Sequence, residues 1–284
     1  MAVRKSGFRR WLQLYGLYAK MDLAWFLRDT KFCLMAILAD ILSNIAGVIG
    51  VFLLAWRFDG VGGMNKYEVL FMLGYVTIIT GSYQLFFANF NTGHISRRIG
   101  RGQLEHMMIQ PIPLPVQLLV EGFIPVSGSS NFIAGIAILF WALSKLGFIV
   151  TISWIAALAL HLIASMVILL SLSYLFSTLA FYAPAQAEEI SSYVLDSTGE
   201  LSVYPLSGMG LAIQIPLITV FPAGLLGWFP TLALLKKAPL NLSPWYPLLV
   251  ALVFFKITAI IFKKGLNHYV KTGTNRYSAV GHRR

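Results

Sequence analysis

A single cysteine, Cys33, among 284 residues excludes an intrachain disulfide and any cysteine-based metal cluster. Charge is scarce as well. Only 12% of residues are charged and just 11 are acidic, whereas a soluble domain carries about a quarter charged residues. The motifs of bond-making chemistry are missing too. No Gly-x-x-x-x-Gly-Lys-Ser/Thr phosphate loop is present, so the chain is not expected to bind ATP in that manner. No His-Glu-x-x-His occurs, since Glu105-His106 lacks the second histidine at helical spacing, and there is no Gly-x-Ser-x-Gly elbow. The five histidines, at 94, 106, 161, 268 and 282, are scattered. His161 falls inside an apolar run and reads as a packed or interhelical hydrogen-bonding residue. The first 31 residues hold seven Lys/Arg among aromatics and lack the short apolar core and small-residue cleavage site of a secretory leader.

What is abundant is apolar sequence. With 57% hydrophobic residues and a mean hydropathy of +0.73, the chain can fill several spans of about 20 residues each. Its formal net charge of +11 does not point to nucleic acid, because the cations flank apolar runs instead of forming one stripe. Anionic headgroups and topological anchoring account for them better.

Residues 8–28 predict a helix lying in the membrane interface. At 100° per residue, Arg9, Gln13, Gly16 and Lys20 share one face and Trp11, Leu12, Tyr15 and Tyr18 the other, with Asp22 interrupting the apolar side. Six spans are expected to follow, at about 32–56, 69–90, 116–144, 148–181, 203–228 and 245–262. The third is broken by Pro125 and Ser127-Gly128-Ser129-Ser130, and the fifth contains Pro216 and Pro222. The apolar 229–244 stretch suggests either short helices dipping into the outer leaflet, which need protein or water around their backbone, or a kinked span with a surface loop. The expected fold is thus an all-α integral membrane protein of six transmembrane helices, one transmembrane domain over 1–284.

With both termini cytoplasmic, sixteen Lys/Arg fall on the cytoplasmic side and five on the other, Lys256 lying within the last span. The positive-inside rule then places both ends and the 97–115 connector in the cytoplasm. The 182–202 connector, cytoplasmic in this scheme, holds no Lys or Arg but has Glu188, Glu189, Asp196 and Glu200. Within the spans, Asp40 and Asn44 sit four residues apart on one helical face. A carboxylate about 12 Å into the bilayer needs water, a partner or a proton. A translocation path would supply the water, and a local interhelical network is the alternative. Glu121 is expected in the cytoplasmic headgroup zone and Lys256 to snorkel toward the inner interface. Gly47-x-x-Gly50, Gly208-x-Gly210 and Gly224-x-x-Gly227 permit close helix approach.

The 97–115 connector carries Ile99-Gly100-Arg101-Gly102-Gln103-Leu104-Glu105, then Met107, Met108 and Pro111. This resembles the pattern Ile-Arg-x-Gly-x-Leu-Asp/Glu-x-Leu-Leu-x-x-Pro that follows the second span in membrane subunits of type-2 ABC exporters, in a branch of uncharacterised transport-system permeases. Methionines replace the usual leucines, and Arg101 directly precedes the glycine. The Arg10-Trp11-Leu12-Gln13-Leu14-Tyr15 start, the segment from Tyr204-Pro205-Leu206 to Phe221-Pro222, and Phe262-Lys263-Lys264-Gly265-Leu266-Asn267-His268-Tyr269 are similar as well.

The resemblance implies a permease in the bacterial plasma (inner) membrane with no cofactor on this chain. ATP and Mg would sit on two cytoplasmic ABC ATPase subunits, and a second permease, identical or related, would pair with this one. It also implies a cytoplasmic coupling helix after span two. There Arg97, Arg98 and Arg101 would anchor to headgroups or acidic ATPase residues, and Leu104, Met107 and Met108 would insert into an apolar ATPase groove. Gly100 and Gly102 would let the chain turn in tightly, and Glu105 would cap the helix or pair with a basic residue. An ion-gradient-driven secondary transporter or channel-like protein is the competing expectation, with Asp40 at its centre. A lipid-modifying enzyme would need a cluster of titratable groups at one face, which these scattered histidines and sparse carboxylates do not supply.

Overall fold

The computed structural model describes residues 7–87, 95–100, 102–114, 117–118, 122–126 and 128–273. Arg101 and Glu121, the termini and the side chain of Asn44 lie outside that set. Among the described residues the architecture is all-helical. Its elements are α1 Gly7–Arg28, α2 Thr30–Arg57, α3 Lys66–Phe87, α4 Ile95–Gly100, α5 Gln103–Met108, α6 Ser130–Leu146, α7 Ile152–Ser177, α8 Pro184–Ser202, α9 Leu211–Thr219, α10 Trp228–Leu234 and α11 Tyr246–Thr272. Four stretches are long and apolar enough to cross a membrane: α2, α3, α7 with its 3-10 extension to Phe181, and α11. The apolar α6 is shorter.

Local chemistry sets the helix boundaries. Asp29 separates α1 from α2, its carboxylate accepting from the Phe32 N–H. At the start of α3, Asn65 Oδ1 accepts from the N–H groups of Tyr67 and Glu68, and Glu68 Oε2 accepts from the Asn65 N–H. That reciprocal pair is a capping box. Thr151 caps α7 through the Trp154 N–H. α1 packs on the 122–126 segment: Tyr15 meets Phe123 edge to face at 4.9 Å, and Asp22, 6% exposed, accepts from the Val126 N–H at 2.7 Å. Asp22 interrupts the apolar stripe because it satisfies a backbone donor that the bent segment leaves open.

α3 and α6 form the tightest helix pair. A Cβ on Gly81 would lie 2.2 Å from the Phe132 nitrogen, one on Gly74 2.7 Å from the Leu139 nitrogen, and one on Gly135 2.6 Å from the Ile78 nitrogen. Three glycines therefore let two backbones touch. Of the glycines singled out from sequence, Gly208, Gly224 and Gly227 also make close approaches, whereas Gly47, Gly50 and Gly210 have open space beside them. Gly81→Val is expected to force the pair apart and cost about 3 kcal/mol, at the high end for overpacking, read as a lowered thermal midpoint in detergent. An equal midpoint would refute the contact.

The third span was expected to be broken by Pro125 and the 127–130 stretch, and among the described residues the helix α6 begins at Ser130 after turns in which Ile124 N–H donates to Leu85 O. Residues 182–202, expected as a connector, form the 19-residue helix α8, about 28 Å long. One end of α8 lies at the α4 end of the bundle, where Arg97 meets Glu188. Just beyond its other end, Gly208 and Pro205 abut Gly62 in the α2–α3 loop, at the opposite end, where Lys66 also pairs with Asp59. α8 thus runs the length of the helical bundle.

The expected 203–228 span is not one helix either. α9 and the following 223–234 stretch are bent by 74°. From Gly62 the chain descends until Leu225 O accepts from Ser165 Oγ at 2.8 Å, about 20 Å along α7. It then returns through α10, so that Leu234 O accepts from Trp154 Nε1 near the start of α7. Lys237 closes the hairpin on Glu68, 4% exposed at the head of α3. Both ends of 205–237 therefore lie at the Lys66 end, with the deep turn between them. Burying Trp228, Phe229 and Leu234 against α3 and α7 makes an apolar 229–244 stretch reasonable.

Candidate functional site

At the Arg97 end, α4 and α5 are joined through Gly102 at φ +67, a left-handed conformation that glycine adopts without a Cβ clash. Its N–H donates to Ile99 O. Gly102 makes the turn; Gly100 is the last residue of α4. Around this turn a second apolar cluster forms from Ile99, Leu104, Met107, Leu118, Ala180, Phe181, Ala187 and Tyr269. It draws on α4, α5, the end of α7, the start of α8 and the far end of α11. Gln117 straps it from outside, its amide donating to Met107 O at 2.9 Å and to Ile112 O at 2.6 Å.

This burial changes the roles expected for several residues. Leu104 is 0% exposed and Met107 6%, so both point into this chain's own core, and neither is available to an ATPase groove. Arg98, expected at headgroups or an ATPase, is 4% exposed and donates to Met107 Sδ at 3.1 Å. Arg97 Nε donates to Glu188 Oε1 at 2.6 Å, tying α4 to α8, and Ser96 Oγ lies 3.4 Å from Ser191 Oγ beside it. Glu105 sits in the first turn of α5, where a carboxylate complements the helix dipole. What α5 presents outward is Met108, Ile109 at 81% exposure, and the polar Gln103, His106 and Gln110. Of the apolar residues assigned to docking, only Met108 keeps its exposure. Ile109, passed over in the sequence, is the more prominent.

The two surfaces of opposite sign read from the sequence meet here: the basic residue is Arg97 and the acidic one Glu188. The pair is about a third exposed, 34% and 27% for the two side chains, so solvent screens part of its attraction. Charge reversal at either residue is expected to loosen α4 from α8 and lower the thermal midpoint in detergent by about 2–4 °C. The double swap Arg97→Glu with Glu188→Arg should recover most of it, a coupling of about 1 kcal/mol by double-mutant cycle. No recovery in the double swap means that the pair does not hold α4 to α8.

Further along α8 an exposed face carries Glu189, Tyr193, Asp196 and Glu200, while Ser191, Thr198 and Ser202 are buried on the packed face. Asp40 is exposed on α2, remote in sequence from the α4–α5 turn and outside its cluster. Its expected partner on that face, Asn44, is among the side chains not described.

A family model described as ABC-2 family transporter protein matches residues 41–273, which takes in α3 to α11 and most of α2. No curated protein and no solved structure matches the chain.

Proposed function

The chain belongs to the ABC-2 family of transporter proteins, and on that premise we propose that it is the permease subunit of an ATP-driven exporter. A multi-pass membrane component of this family is a transport part, not itself a catalyst. The finer reading is that two cytoplasmic ATPase subunits, holding ATP and Mg, dock on the outward face of α5. A second permease, identical or related, pairs across the exposed face of α2, and the assembly sits in a bacterial inner membrane.

The observation that supports this best is the way α4 and α5 are clamped to the rest of the chain. Arg97–Glu188 links them to α8, and the Leu104 cluster links them to the inner ends of α7 and α11. A push on Met108 and Ile109 is therefore passed to three long helices at once, because a close-packed cluster moves as a body. In this reading α8 is the fifth crossing, which gives six in all with both termini cytoplasmic. It also removes the difficulty of an acidic cytoplasmic loop. Asp196 and Glu200 then stand within the bilayer's depth on an exposed face and need water, which a translocation path between subunits supplies; the same reading puts Asp40 on that path.

Purifying the tagged chain from native membranes tests the assignment. Co-elution of a phosphate-loop ATPase, and nucleotide hydrolysis that falls with Ile109→Asp, is the expected result. Transport driven by an ion gradient with the chain alone in liposomes would overturn it in favour of a secondary transporter.

A further inference from the structure

At the Lys66 end of the bundle, a cavity of about 230 Å³ opens between the start of α7, the end of α10 and the start of α11. The coupling mechanism does not use it. Its floor is His161, 2% exposed, with Nδ1 2.8 Å from Ala157 O and Nε2 3.0 Å from Pro244 O. Both ring nitrogens face this chain's own carbonyls, so His161 ties the turn before α11 to α7 and meets no ligand. The rim is different. Thr151 and Ser153 place two exposed hydroxyl oxygens 3.0 Å apart. Such a pair uses one proton between its oxygens and leaves the other free to donate. Among the described residues of the lining, Lys236 is the one Lys, Arg, Asp or Glu. It stands at φ +61 just past α10, its N–H donating to Ala233 O while the Lys237 N–H donates to Leu232 O. Those two bonds make a Schellman turn, whose left-handed position is usually glycine. Nearby carboxylates are committed elsewhere, Glu68 to Lys237 and Asp59 to Lys66. Among the described residues none forms an ion pair with Lys236.

The surroundings locate this cavity at headgroup level. Trp56, Trp141 and Trp245, each about half exposed, stand at this end of the bundle, and exposed tryptophans mark the membrane–water interface. Trp245 is itself part of the cavity wall. Ile149 and Ile152, at 82% and 88% exposure, flank the hydroxyl pair and belong against hydrocarbon. We propose that the cavity binds an anionic phospholipid. Its phosphodiester takes the Lys236 ammonium and the spare hydroxyl proton, and its acyl chains leave over Ile149 and Ile152. A zwitterionic lipid is the poorer fit, because its quaternary ammonium would meet Lys236 and no carboxylate. In the orientation proposed above the lipid comes from the outer leaflet, and the binding itself does not depend on that reading.

The test uses the full chain, carrying 5-fluorotryptophan, in phosphatidylcholine nanodiscs titrated with phosphatidylglycerol. Nanodiscs present both leaflets and need no ATPase, so failure here leaves the permease reading untouched. The Trp245 resonance, assigned by its loss in Trp245→Phe, is followed by ¹⁹F NMR. It is expected to shift saturably with the fraction of phosphatidylglycerol. Lys236→Gln should raise the half-saturating fraction about fivefold, the worth of one lysine at an anionic surface, and Lys236→Arg should keep it. Ser153→Glu, at an exposed position, should abolish the shift by placing a carboxylate on the rim. Lys263→Gln, far along α11, should leave the titration unchanged. An equal response in Lys236→Gln, or a loss with Lys263→Gln as great as with Lys236→Gln, overturns the proposal, because general surface charge then governs the signal. A shift produced by inorganic phosphate in the buffer also overturns it, in favour of a soluble anion.

Discussion

Leu104→Asp is expected to unfold the Arg97 end of the bundle, whereas Ile109→Asp should leave the fold intact and remove ATPase binding. Leu104 is fully buried against Ile99, Phe181 and Tyr269, so an aspartate there places an unpaired charge in an apolar cluster. Such substitutions cost about 4 kcal/mol or more. The variant should show a much lower thermal midpoint, or no recoverable protein, even without any ATPase present. Ile109 is 81% exposed and contributes little to folding, within about 0.5 kcal/mol. As an apolar anchor at a protein interface it would be worth about 2 kcal/mol, or roughly thirtyfold in affinity. Titrating the ATPase against nanodisc-embedded variants separates the two effects. Should Leu104→Asp fold normally and lose only its partner, the inward packing described above is wrong.

The second large effect concerns α8. On a Cys33→Ser background, Gly210→Cys should react with a membrane-impermeant maleimide in intact cells, and Gln186→Cys only after the membrane is opened. The difference is all or none, because a hydrocarbon barrier separates the two ends of a helix about 28 Å long. Asp196→Cys, midway, should react with a small polar thiol reagent, since its exposed face is read as water-lined. If Gly210→Cys also reacts only in opened cells, α8 does not cross and the 203–228 stretch regains its claim to be a span. Cys33 is 1% exposed, so even the natural thiol gives little background.

α8 was illegible in the sequence for a physical reason. Hydropathy identifies helices that face lipid on most sides, and α8 turns serines and threonines toward its neighbours and carboxylates toward its exposed face. That composition reads as a polar loop unless the rest of the bundle is in view. The apolar runs of α2, α3, α7 and α11 do point to helices, although α11 continues to Thr272, beyond the expected end at 262. The N-terminal helix was legible from its two faces, but the purpose of Asp22 was not, because its acceptor role depends on Val126, a residue distant in sequence. The Asn65–Glu68 cap follows a recognisable spacing that moves the start of the second span ahead of its first apolar residue.

At the 97–115 connector, the resemblance implied that Leu104, Met107 and Met108 belong to a short helix. It did not show which way that helix turns. Periodicity defines a face, and only the neighbouring elements decide what covers it. Here Phe181 and Tyr269, far away in sequence, cover Leu104 and Met107, while Met108 stays exposed.

The glycine contacts between α3 and α6 bear on how such a protein can move. Where two backbones meet without intervening side chains, sliding one along the other would drive a Cα into a peptide plane within a fraction of a turn. The two helices are restricted to rotating together as a single strut. Any alternation between inward-facing and outward-facing forms must then pivot about that strut, with α2 on one flank and α7, α8 and α11 on the other supplying the travel.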